Sequence, residues 1–181
     1  MFAIAAFIVI VAQLSLRDTL TLHSVGEIKP DFVACLAVFI ALFAERFAAL
    51  WACWILGLLM DLAPSAGDMP WHLIGPNALG YVFGGYLVLQ LRTMVFRRRA
   101  VTAGFVTFLF LLAAGLLATF LLMIRSWYIP DTPLYAGPVA EFWRCIKTAL
   151  YTGVIGVPFG WLLQLTIVPW GFTRGAARRG W

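Results

Sequence analysis

Apolar residues occupy this chain in unbroken runs rather than in stripes. Six such runs lie near residues 2–16, 32–44, 47–60, 75–91, 101–124 and 144–168, divided by short clusters of proline, glycine and charge. A segment that is apolar all round, with no polar face at helical spacing, reads as a helix buried in protein or in lipid. A hydrocarbon core of about 30 Å takes about 20 residues of helix, so several of the runs are short. Read as one helix, 31–60 would extend about 45 Å and carry Glu45-Arg46 at its middle, so a hairpin broken there fits better. Its two arms are then short for a full crossing, which calls for local thinning of the bilayer or a position inside the bundle. The pattern predicts an all-α polytopic membrane protein, a compact bundle of six transmembrane helices forming one domain over 1–181.

Composition strengthens this reading. Hydrophobic residues make up 63% and charged residues 12% of the chain, and the mean hydropathy is +0.94. Soluble domains run at roughly 45–50% apolar and about 25% charged. Phe2 to Leu16 has no basic leader and no small-residue cleavage site after it, so it reads as a retained anchor. Cys35, Cys53 and Cys145 stand at unrelated spacings with no CxxC, and read as small core or lipid-facing residues. His23 and His72 are isolated and read as interfacial.

Charge then orients the bundle. Arg92 with Arg97, Arg98 and Arg99 forms one basic cluster, and Arg174, Arg178 and Arg179 form a second. Two runs separate them, so both fall on one side, which the positive-inside rule makes the cytoplasm. Both termini are expected there, in an inner membrane, with Arg46 opposed by Glu45 on the same side. These arginines read as topogenic signals with some contact to lipid phosphate, and the basic pI needs no nucleic-acid partner.

Ser126 to Pro138 holds three prolines with Trp127, Tyr128 and Tyr135, and reads as an outer loop lying on the membrane surface. Small residues recur at Gly80 and Gly84, Ala114 and Ala118, and Gly156 and Gly160. Such pairs let helices approach closely, here within the bundle.

Asp31 and Asp61 are the exceptional positions. A carboxylate near hydrocarbon depth costs several kcal/mol unless it faces protein, water or a cation. Asp31 follows Pro30 at a helix start, where it would cap free amides. Asp61 ends a helix, where the dipole disfavours an anion. Its expected partners are Arg144 and Lys147, one turn apart on the sixth helix, and Asn77, and it would tie the outer ends of the third, fourth and sixth helices. No GxSxG, HExxH, P-loop or dinucleotide fingerprint occurs, so the chain reads as non-enzymatic, with no catalytic residue, cofactor or metal.

Three segments together resemble the MreD family of rod shape-determining membrane proteins: Pro30-Asp31, Gly57-Leu58-Leu59-Met60-Asp61-Leu62, and Gly75-Pro76-Asn77-Ala78-Leu79-Gly80-Tyr81. They match the family's Pro-Asp, Gly-Leu-x-x-Asp-Leu and Gly-x-x-Ala-Leu patterns in order, and cover about the first half of the chain. The loop from Asp61 to Gly75 is longer than the family's, and Glu45-Arg46 stands where the family has basic residues with Gly-Pro. The resemblance implies a subunit of the bacterial cell-elongation complex that binds MreC, works beside RodA and a class B penicillin-binding protein, and maintains cell shape by organising peptidoglycan synthesis. Pro30, Asp31, Gly57, Asp61, Gly75 and Asn77 would then organise the bundle or meet a partner.

A second reading stays open. Compact six-helix proteins also include the substrate-binding components of energy-coupling-factor transporters, and a pocket lined by Trp71, Tyr128, Tyr135 and Asp61 would suit a small molecule. Charge reversal at Arg97 to Arg99 is expected to disturb insertion or orientation more than partner choice. Cysteine-accessibility mapping across the membrane checks this, and preserved topology with selective loss of one partner would contradict it.

Overall fold

In the computed structural model, residues 2–16, 21, 28–62, 75–92, 100–128 and 138–165 are described, with backbone only at 100, 125–128, 138, 141, 164 and 165. The described residues form six helices: α1 Phe2–Leu16, α2 Phe32–Phe43, α3 Arg46–Leu62, α4 Pro76–Leu91, α5 Ala100–Tyr128 and α6 Pro138–Leu165. The fold is all-α, and the break, at Ala44 and Glu45, falls one residue before the Glu45-Arg46 position expected from the sequence.

Two of the expected boundaries need correction. The fifth helix continues to Tyr128, and the sixth begins at Pro138 rather than near 144. The supposed surface loop is therefore shorter at both ends. Proline lacks only the amide that a helix start leaves free, so Pro138 begins α6 rather than excluding it. Pro158 lies inside α6, a position the sequence reading passed over.

The core is α2. Every residue from Phe32 to Leu42 is buried, and α2 packs against all five other helices. That explains an apolar segment of only 12 residues, about 18 Å long: it is wrapped by protein and has no bilayer to match. Around it the successive helices run up and down. Gly57 and Cys53 of α3 meet Ala78 and Gly85 of α4, and Gly80 and Gly84 of α4 meet Ala114 and Phe110 of α5. Gly104 and Gly115 of α5 meet Val157 and Cys145 of α6. In each pair rising numbers face falling ones, so neighbours are antiparallel. Gly156 and Gly160 likewise face Thr107, Cys35 and Ala103, which places the small-residue pairs inside the bundle.

The exterior is also apolar. Phe7 and Ile8 of α1, Phe47 and Trp51 of α3, Phe83 of α4, Phe105 and Phe120 of α5, and Trp161 of α6 are all exposed. Two helical stretches, Val101–Ile124 and Phe142–Leu163, are long and apolar enough to cross a membrane. Apolar exposure of this extent marks a surface that meets something other than water.

The α4–α5 contact shows how little room the packing leaves. A Cβ on Gly80 would lie 2.6 Å from the Ala114 carbonyl oxygen, and a helix backbone yields only if the two helices separate. We expect Gly80→Ala to lower stability by about 1–3 kcal/mol, the usual cost of overpacking, read as an earlier midpoint in a denaturing-detergent titration.

Candidate functional site

The start of α4 has no side-chain cap of its own. Gly75 occupies the N-cap position with φ +130°, a conformation that a side chain would strain, and Pro76 follows at the first helical position. The free amides are met from α3. The backbone N–H groups of Gly75, Asn77 and Ala78 donate to the Asp61 carboxylate at 2.9, 3.3 and 3.0 Å. These are the N-cap, N2 and N3 positions, so Asp61 does for α4 what an N-cap side chain does for its own helix. Its charge sits badly at the end of α3 and well at the start of α4, where the dipole is positive.

Gly57 makes this reach possible. It lies one turn before Asp61 on the same face, and a Cβ there would come within 2.7 Å of Ala78 Cα and 2.8 Å of the Asn77 carbonyl oxygen. The glycine brings the two backbones together, and the aspartate closes the contact. The spacing Gly57-x-x-x-Asp61 thus has a physical content: approach, then cap.

The partner expected on α6 is not the one found. Arg144 and Lys147 are exposed on α6, while Asp61 is 6% exposed and turned into α4. Asn77 contributes its backbone N–H, and its residue is otherwise exposed. Residue types advertise charge pairs, whereas the amides of a helix start carry no signature beyond the Gly-Pro that frees them.

Asp31 caps α2 as expected, accepting from the Ala34 N–H at 3.0 Å. Its second carboxylate oxygen accepts from the Tyr81 hydroxyl of α4. The Asp31 N–H donates to Thr152 Oγ1 of α6 at 3.1 Å. Gln13 of α1 donates to the Pro30 carbonyl at 3.1 Å and accepts from the Phe32 N–H at 2.7 Å. Side chains from α1, α4 and α6 therefore converge on three consecutive residues at the start of α2. Tyr81 and Thr152 are buried, and the Tyr81 ring stands edge-on to Phe110 of α5 at 5.1 Å.

Gln13 and Thr152 were not singled out by sequence, and Tyr81 entered only as the last residue of a matched segment. The signal was present: each is a hydrogen-bonding residue inside an otherwise apolar helix, where such groups bind neighbouring helices. Arg92, read only as a topogenic charge, also has a structural partner. Its Nη1 donates to the Ala44 carbonyl at 2.9 Å, capping the C-terminal end of α2, where a cation suits the dipole.

The three cysteines are free, two buried and one half-buried, and among the described residues no group of His, Cys, Asp and Glu could hold a metal ion. Arg97, Arg98, Arg99, Arg174, Arg178, Arg179, His23, His72, Trp71 and Tyr135 lie outside the described residues, as does the loop 63–74. No family model matches the chain, and neither the curated proteins nor the solved structures contain a match to it.

The arrangement is a structural hub: it joins helix ends through carboxylates whose oxygens are already engaged. Charge-assisted hydrogen bonds contribute about 1.5–3 kcal/mol each to stability. We expect Asp61→Ala to cost at least about 2 kcal/mol in detergent unfolding, with Asp61→Asn intermediate because its carbonyl still accepts. An unchanged unfolding midpoint for Asp61→Ala would contradict the capping role.

Proposed function

We propose that the chain is a six-span protein of the bacterial inner membrane with both termini in the cytoplasm. In this reading it serves as a non-enzymatic subunit of the cell-elongation machinery, of the kind the MreD resemblance implies. It binds MreC, works beside RodA and a class B penicillin-binding protein, and helps maintain cell shape through the organisation of peptidoglycan synthesis. The apolar exterior supports a multi-pass membrane location, since lipid is the solvent such a surface suits.

One observation carries the reading further than hydropathy does. The residues that carry the resemblance gather at one end of the bundle: Pro30-Asp31, Gly57 with Asp61, and Gly75 to Tyr81 join α2, α3 and α4 through hydrogen bonds and close backbone contact. A motif whose members hold helices in place suits a scaffold that presents surfaces to partners. The small-molecule transporter reading has less support, because the Asp61 carboxylate it would use as a polar anchor is buried against three amides of α4.

The test is purification of the tagged full chain from its native membrane in mild detergent, with mass spectrometry of stoichiometric companions. MreC or RodA is expected. A membrane coupling protein with paired ATPases would overturn the scaffold reading in favour of the transporter one.

A further inference from the structure

The apolar height of the bundle differs from one face to another. α3 runs from Arg46, exposed at its start, to Leu62, about 24 Å along the axis, and Asp61 near its end is buried against α4 rather than facing outward. On α4 the limits are Asn77 and Arg92, about 22 Å apart. These two helices, unlike α2, present large apolar side chains outward, among them Phe47, Trp51, Phe83 and Tyr86. The apolar stretch Val101–Ile124 of α5 has 24 residues and rises about 36 Å. A bilayer core of about 30 Å suits α5 with some tilt and overshoots α3 and α4 by about 6–8 Å.

Ordinarily such a mismatch is absorbed by the protein, through tilting or through side chains that stretch toward water. Here the protein has little freedom to do so. Tilting shortens the projected height of a helix and worsens the deficit. Asp61 is held by three amides of α4, and Arg92 by the Ala44 carbonyl at 2.9 Å. The two ends of α4, marked by the exposed Asn77 and by Arg92, are thus fixed by the fold, and the lipid must adapt.

We propose that the α3–α4 face is a binding surface for a locally thinned phospholipid bilayer, with short-chain lipids as its preferred partners. Arg46 and Arg92 stand level with headgroup phosphates, the charge complement of that rim, with Glu45 beside Arg46 offsetting part of it. A groove of about 400 Å³ opens on the same face, lined by Leu50, Leu79, Phe83 and Tyr86 together with Leu117 and Leu121 of α5. Its walls suit an acyl chain. The proposal rests on the membrane location argued above and adds to it the thickness of membrane that this face selects.

The experiment reconstitutes the full chain into vesicles of monounsaturated phosphatidylcholines, from dimyristoleoyl to dierucoyl, and follows thermal unfolding by circular dichroism. The melting temperature is expected to be highest in the shortest lipids and to fall by about 5 °C or more across the series. Arg46→Leu, which removes the charge limiting α3 at its exposed start, is expected to move the optimum toward longer chains. A maximum at dioleoyl thickness or beyond, or an optimum that Arg46→Leu leaves in place, overturns the thinning proposal while the membrane reading stands. Failure of the chain to enter vesicles of any thickness overturns the membrane reading itself.

Discussion

A helix end removed from water leaves amides and carbonyls that must find partners, and this constraint organises the whole bundle. The short helix α2 lies at the centre with both ends inside the protein's reach. Its first amides are met by Asp31, Gln13 and Thr152, and the carbonyl of its C-cap residue Ala44 by Arg92. The start of α4 is met by Asp61. Most of these groups come from a different helix than the one they complete. Each cap is therefore also a tertiary contact, and satisfying the backbone and fixing the helix arrangement become the same event. Polar side chains in so apolar a chain are few, and Gln13, Asp31, Asp61, Tyr81, Arg92 and Thr152 are spent on the ends of α2 and α4.

Glycine performs the complementary task. Caps reach across only if the helices are near enough, and Gly57 and Gly80 set that approach by leaving α4 in backbone contact with both α3 and α5. In lipid the hydrophobic effect does not press helices together, so close van der Waals contact and interhelical hydrogen bonds have to supply the association. The pairing of Gly57 with Asp61 combines the two contributions within one helical turn.

Much of this was legible in the residues. The hairpin at Ala44 and Glu45 follows from two charges standing mid-way along an apolar stretch too long for one crossing, and the Asp31 cap follows from proline and aspartate ahead of an apolar run. The partner of Asp61 was not legible, because it is a set of backbone amides exposed by Gly75 and Pro76, and residue identity does not announce main-chain donors. The ends of α5 and α6 were placed too conservatively for a related reason. Proline was taken as a helix breaker, whereas at the first position of α6 it starts the helix. Arg92 was seen only as a charge counted toward topology, and its hydrogen bond to α2 depends on a neighbour that hydropathy cannot specify.

The contacts of α2 also set an order of events during synthesis. A chain is made from its N-terminus, so α2 leaves the ribosome before any of the helices that complete it except α1. The hydroxyl of Tyr81 and the guanidinium of Arg92 arrive only with α4, and Thr152 arrives with α6. Until then the central helix has one end capped locally through Asp31 and the other end without its Arg92 cap. The nascent bundle cannot lock from the front. Its oldest core element is finished by its youngest, which makes the emergence of the last helix the moment at which the fold becomes a single unit.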